Sequence, residues 1–229
     1  MKTVIITGAN GNLGTAVTRY FISKGYRVVA TVVHENKKAE MPSDPRLDVQ
    51  VVDLADELAA AAFVDRSVEK YGTIDAALML VGGFAMGTIA NTSAADIDQQ
   101  VSLNFKTAYQ VARPLFIHML EKGNGRLVFI GARPALEAAS GKDMLAYGLS
   151  KSLLFKLAEY LNEEAKGKNV TAAVVAPSTL DTPINRLSMP DVDPAIWVKP
   201  EALAGILEFI VSETGAPLRE SVYKVYNNA

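Results

Sequence analysis

The chain has 229 residues, 49% of them hydrophobic and 21% charged, with a formal net charge of −2 at pH 7. That is enough apolar material for one sizeable core, while Lys and Arg are dispersed and form no basic stripe, so nucleic acid is not an expected partner. There is no cysteine, and the two histidines, His34 and His118, stand far apart, which excludes disulfides and thiolate metal centres and leaves no metal expected.

The first residues enter a strand-like run directly, and no apolar stretch approaches the ~20 residues that span a bilayer. The expectation is a soluble, cytoplasmic protein. Apolar, β-branched runs recur at TVIIT (3–7), RVVATVV (27–33), VQVV (49–52), IDAALML (74–80), RLVFI (126–130), VTAAVVA (170–176) and VYKVY (222–226), with helix-length patterns between them. Such alternation predicts βαβ units and a mostly parallel seven-stranded sheet covered by helices on both faces. No linker divides the chain, so residues 1–229 read as a single dinucleotide-binding domain. The stretch 177–200 is rich in Pro and Asp and contains Met189 and the only Trp, Trp197. It reads as a substrate lid over the carboxyl end of the sheet.

Thr7-Gly-Ala-Asn-Gly-Asn-Leu-Gly14 falls where the first strand ends and a helix begins. Gly8 permits the turn, Gly11 lets backbone approach a pyrophosphate, and Gly14 lets the helix pack close to the strand. Asn10, Asn12 and Leu13 share that turn, and the helix dipole faces the phosphates. The fold class that follows is a Rossmann-type doubly wound α/β protein. Val33 and His34 close the second strand with no carboxylate to repel a 2′-phosphate; the first acid is Glu35, with Lys37 and Lys38 near it. NADP(H) or NAD(H) is therefore the expected cofactor, with a lean to NADPH, although the two lysines equally fit a solvated turn. Asp53, next to Leu54, is placed to accept from an adenine amino group or to cap the following helix. Gly82 and Gly83 again supply bare backbone after the fourth strand.

Tyr147 and Lys151 stand four residues apart, on one face of a helix. A nearby ammonium and the charge of an oxidised nicotinamide favour the phenolate, so Lys151 is expected to bring the Tyr147 pKa down toward working range. The ordered set of TGxxGxxG at 7–14, Asp53, Asn104, YxxxK at 147–151 and the Pro177–Thr182 turn resembles the short-chain dehydrogenase/reductases over nearly the whole chain. The resemblance implies Tyr147 as proton donor, Lys151 as its modulator and ribose ligand, Asn104 as holder of a relay water, and Pro177, Thr179, Leu180 and Thr182 beside the nicotinamide. It also implies a homodimer or homotetramer, paired through helices around 96–121 and 145–166.

In that family a serine ends the strand before the tyrosine. Here the strand runs into Gly131-Ala132-Arg133. GGFAMG (82–87), GARPALE (131–137), MLAYGLSK (144–151) and LDTPINRLSMPDVD (180–193) are similar to the quinonoid dihydropteridine reductase branch, in which alanine also takes the serine position, implying Ala132 there. The chain departs from that branch in having no acid at the end of strand two, Phe84 in place of Trp, and Asn104, which weakens the carry-over of its NADH preference and substrate. Phe84 and Trp197 are expected either to sandwich a flat substrate or to pack internally, and Ser140 is either plain turn chemistry or a replacement for the missing donor. The leading expectation is an NAD(P)H-dependent reductase of a planar, electron-poor small molecule, best matched by a quinonoid dihydropteridine. The alternatives are a general carbonyl or quinone reductase of the same family and a non-catalytic dinucleotide-sensing protein, which would have no use for a proton relay.

Overall fold

The computed structural model describes residues 1–229. In chain order its elements are β1 (Thr3–Thr7), α1 (Asn12–Ser23), β2 (Arg27–Val32), α2 (Glu35–Ala39), β3 (Leu47–Val51), α3 (Glu57–Tyr71), β4 (Ala76–Met79), α4 (Ala94–Val101), α5 (Thr107–Lys122), β5 (Asn124–Ile130), α6 (Ala138–Gly141), α7 (Leu145–Glu164), β6 (Asn169–Pro177), α8 (Pro183–Ser188), α9 (Pro200–Val211) and β7 (Val222–Val225). One seven-stranded sheet forms in the order β3-β2-β1-β4-β5-β6-β7, and every neighbouring pair is parallel. This is a Rossmann-type α/β fold in which the sheet, expected to be mostly parallel, is parallel throughout.

Period-two alternation within the strands divides the core in two. Ile5 and Phe129 meet Phe63 of α3, Leu115 of α5 and Leu154 of α7 on one face. Val4, Ile6 and Val128 meet Phe21 of α1 and Leu203 and Leu207 of α9 on the other. Each fully buried Phe or Leu contributes about 1.5–3 kcal/mol, so both faces are needed to hold the sheet.

Three boundaries moved, each for a local reason. The ladder of β4 stops at Met79 because the amides of Leu80 and Val81 lie 3.0 and 3.4 Å from the Thr7 hydroxyl oxygen. The edge strand β3 starts at Leu47, in register with Val28, although Asp48 and Gln50 break its apolar run. The helix expected around 96–121 is interrupted at Ser102–Lys106 by one π-helical turn, in which the Thr107 amide donates to the Ser102 carbonyl.

The stretch expected to be a lid is only partly loop. It holds α8 and a 3₁₀ turn at Pro194–Ile196, and its ends are tied by a bridge between Leu180 and Val198. Trp197, expected either to face a substrate or to pack internally, is 2% exposed and buried at this base.

Close packing of α1 onto β1 depends on Gly14. A Cβ there would lie 2.1 Å from the Gly8 carbonyl oxygen, whereas one at exposed Gly11 would meet that atom at 3.3 Å. Gly14→Ala is expected to displace the helix and cost about 1–3 kcal/mol, a fall of several degrees in Tm for a chain of this size. Gly11→Ala should leave Tm nearly unchanged. Thermal unfolding of the two variants decides it, and equal losses would refute the packing role of Gly14.

Candidate active site

Strand order reverses between β1 and β4, and the crevice beyond their carboxyl ends is where ligands bind in open parallel sheets. Gly8 turns the chain there at φ +63°, with its amide 3.4 Å from the Thr31 hydroxyl oxygen. A Cβ on Gly8 would come within 3.1 Å of Val81 Cγ2, so the two glycine-bearing turns lie side by side. The first turn of α1 has no side-chain cap, which leaves its N–H groups open to an anion. Bare backbone and an open helix N-terminus meet the two demands of a dinucleotide, and the residues fit that group.

Asn104 sits in the π-helical turn and is fully buried. Its Oδ1 accepts from the Gly83 amide at 2.9 Å, and its Nδ2 lies 2.9–3.0 Å from the Gly83 carbonyl, Gln100 Oε1 and Ser150 Oγ. The two amide hydrogens are thus shared among three acceptors and hold the Gly83 turn, while Oδ1 keeps a second lone pair for a further donor. Ser150 continues the chain of bonds, donating to the Tyr147 carbonyl at 2.8 Å. Gln100 and Ser150 were missed in the sequence; their spacings, four before Asn104 and three after Tyr147, were the available signal.

Lys151 is buried, and its ammonium donates to the Ile130 carbonyl at 2.8 Å with no carboxylate partner. A Cβ placed on Gly82 would stand 2.9 Å from Lys151 Nζ and 2.7 Å from Asn104 Oδ1. Glycine here keeps the amine open toward the crevice. Burial pushes the Lys151 amine down to about 8. Half-buried Tyr147 is pushed up to about 12 by desolvation, with no lowering from Lys151. In the cofactor-free chain burial sets the direction for this phenol; the charge of an oxidised nicotinamide, which was part of the expected lowering, is not there to act.

Phe84 lies edge-on to Tyr147, with ring centroids 5.2 Å apart, and is 60% exposed. Its loop is held by Gly87, whose amide donates to the Asp143 carbonyl and whose carbonyl accepts from the Leu145 amide, both at 2.8 Å. The expected sandwich with Trp197 does not form, because the indole is buried. Met189, which ends α8, is half-buried, while Ile184 and Leu187 of the same helix are exposed.

Ala132 follows β5 in extended conformation and is buried. Ser140 is the only serine or threonine between Ile130 and Tyr147. It belongs to α6, where its hydroxyl lies 3.5 Å from Glu137 Oε2. Its one side-chain partner thus lies at the N-cap of its own short helix.

The remaining expected residues are dispersed around the crevice. Asp56 caps α3, accepting from Leu58 and Ala59. Exposed Asp53 accepts from the Ala55 amide at 2.9 Å and keeps its other oxygen; Leu54 beside it is buried in the core. Val33 and His34 are exposed, Lys37 is paired with Glu40 at 2.8 Å, and Lys38 is exposed. Pro177 ends β6, and Thr182 is buried as the cap of α8. A cavity of about 840 Å³ opens between Asn12 and Thr182 and runs along α1 to Lys199. Neither Tyr147 nor Lys151 lines it; Lys151 stands instead against Gly82, on the turn after β4.

The family model described as short chain dehydrogenase matches residues 2–193. The chain is similar to acetoacetyl-CoA reductase of Acinetobacter sp. (strain RA3849), 28% identical over 94% of this chain and 92% of that protein. It is similar also to dihydropteridine reductase of Dictyostelium discoideum, 25% identical over 97% and 94% of the two chains. The solved structure of ElxO with NADP bound shares the fold, with a TM-score of 0.91 at 19% identity over 99% of this chain and 97% of that one. With the family model running from the first strand past α8, this protein belongs to the short-chain dehydrogenases and is an oxidoreductase of the NAD(P)-dependent kind.

Proposed function

We propose that the protein is an NAD(P)H-dependent reductase of a planar, electron-poor acceptor, best matched by a quinonoid dihydropteridine, with Tyr147 as the proton donor. The observation that carries the reading is buried Ala132 at the end of β5, with Ser140, the one serine or threonine between it and Tyr147, directed to Glu137. A ketone reductase that lacks one oxyanion donor loses on the order of 10²–10³ in rate. An acceptor whose incoming charge spreads over conjugated nitrogens does not depend on that donor. The 25% identical dihydropteridine reductase supports the same choice.

When bound, the dinucleotide supplies the hydride. Tyr147 gives its proton to a substrate nitrogen, a role suited to a phenol held protonated by burial. Lys151 offers its ammonium to the nicotinamide ribose, Asn104 holds the Gly83 turn, and Phe84 lies flat-sided beside the acceptor. Gly8, Asn10, Gly11, Asn12, Leu13 and Gly14 take the pyrophosphate, and Pro177, Thr179, Leu180 and Thr182 the nicotinamide. Exposed His34 and Lys38, with no carboxylate at Val32 or Val33, favour NADPH. The protein works in the cytoplasm as a homodimer or homotetramer, through α5 and α7, whose Tyr109, Ile117, Leu149 and Leu153 are exposed.

The 28% identical acetoacetyl-CoA reductase favours a second reading, reduction of a ketone with water replacing the serine. Nicotinamide absorbance followed with freshly generated quinonoid dihydropterin, and with ketones and quinones, separates them, NADH and NADPH being tested apart. Rapid oxidation with pterin alone is expected; turnover confined to ketones would displace the pteridine reading. In the same assay Tyr147→Phe should keep dinucleotide affinity and lose about 10²–10⁴ in kcat. Full activity in that variant would exclude Tyr147 as donor.

The amine of Lys151 gives a pH test. Its folded pKa, about 8, lies below the unfolded 10.5, so the unfolded chain binds more protons between those values and stability rises with pH across that window. Below pH 8 the burial penalty is fully present. Lys151→Met is therefore expected to be about 1–3 kcal/mol more stable than the parent at pH 7, after the lost bond to Ile130 is offset, and to lose that advantage by about pH 10. Urea midpoints at the two pH values measure it. Dinucleotide affinity of the parent should weaken as pH rises through 8, and a flat profile would count against Lys151 as the ribose ligand.

A further inference from the structure

Tyr226, Asn227 and Ala229, which follow β7, touch both the segment carrying α8 and the turn after β5. On one side, the Asn227 amide nitrogen lies 3.3, 3.1 and 3.0 Å from the carbonyls of Ala195, Ile196 and Trp197, at the base of the segment carrying α8. Asn227 is also the only non-glycine residue at positive φ, +53°, a conformation asparagine tolerates. Ser178, at the other root of that segment, donates its hydroxyl to the Tyr226 carbonyl at 2.7 Å. The base is closed by Val198 N–H to Thr179 and Asp181 N–H to Val198, at 2.9 and 2.8 Å.

On the other side stands Arg133, next to Ala132. Its guanidinium donates to Glu137 Oε2 and to the Ala229 carbonyl, each at 2.7 Å, and lies 4.9 Å from the Tyr226 ring centroid. A single half-exposed ion pair contributes little; a planar fork held by a carboxylate, a carbonyl and an aromatic face has only one geometry. That geometry fixes the turn at Arg133–Ala135, and the α7 start packs on it: a Cβ on Gly148, the residue after Tyr147, would meet the Pro134 carbonyl oxygen at 3.3 Å.

We propose that Arg133 and Asn227 are positioning residues which, through Tyr226–Ala229, join the turn beneath Tyr147 and the segment 182–196 into one body, so that closing of that segment over the acceptor and alignment of Tyr147 occur together. The kinetic part of this inference rests on Tyr147 acting as proton donor. The mechanical part does not. Asn227→Gly keeps the backbone conformation and removes the amide; Arg133→Ala removes the fork, and Arg133→Lys keeps only its charge.

Amide hydrogen exchange on the full chain tests the coupling directly. Asn227→Gly is expected to speed exchange about three- to tenfold at 182–196 and also at 131–145, and Arg133→Ala to do so at 182–196 as well as at its own turn. Arg133→Lys should show the same pattern more weakly. Acceleration confined to the mutated end would overturn the proposal. With whichever acceptor the parent reduces, each single variant should lower kcat/KM at unchanged dinucleotide Kd, and the double variant should lose less than the product of the two losses. Losses that multiply would mean two independent effects and would also overturn it. Failure of pterin to react would remove the proposed substrate while leaving the exchange result to decide this coupling.

Discussion

Seven parallel strands impose one constraint on everything else: each connection must cross back over a face of the sheet, and in this strand order the crossover direction reverses once. Here the reversal lies between β1 and β4. The turns leaving those two strands diverge to opposite faces, so no helix can fill the space above them. Thr7 holds the strand ends together through the amides of Leu80 and Val81. The glycines on both turns then keep side chains out of the gap. What α3, α5 and α7 contribute on one face and α1 and α9 on the other is stable burial that keeps this gap at fixed width.

Into that gap the fold brings a buried amine with no counter-ion. An ammonium desolvated without a carboxylate is costly, and the structure meets the cost in two ways: a carbonyl acceptor at Ile130 and a pKa near 8. A carboxylate partner would have been cheaper for folding, but it would have neutralised the buried cation beside Gly82. The Asn104 amide sits on the other side of the same point, and the π-helical turn is what lets it reach both Gly83 and Ser150. Wider helical turns of this kind recur at functional sites, and here the gain is a turn after β4 fixed by three hydrogen-bonded groups.

Much of this was legible in the sequence because it is local. Strand runs, the glycine spacing after β1 and the i, i+4 relation of Tyr147 to Lys151 depend on neighbours along the chain. The rest is not local. Nothing in VSLNFKT distinguishes a π-helical turn from an α-helical one, and one of the partners Asn104 meets there, Ser150, lies 46 residues away. Trp197 reads as a lid aromatic until the Leu180–Val198 bridge and Asn227 draw it inside. The elevated Tyr147 pKa comes from desolvation by elements remote in sequence, which a local i, i+4 reading does not count. Asp53 and Asp56, three residues apart, could only be sorted once the start of α3 was fixed by the Asp56 cap.

The replacement of serine by Ala132 gains its meaning from this electrostatic setting. A phenol pushed up to about 12 is a poor base but a secure store of one proton, and it stands against the exposed edge of Phe84. An acceptor that must gather negative charge on a single oxygen asks for two donors at that point, and removing one costs about 3–4 kcal/mol of barrier. The loop from Ile130 to Tyr147 offers one. An acceptor already short of electrons, which needs the proton only to settle the charge on nitrogen, asks for one donor and a flat apolar neighbour. On the proposed function Tyr147 and Phe84 supply that pair, and a hydroxyl at position 132, buried as its methyl now is, would need a partner of its own whenever such an acceptor was absent.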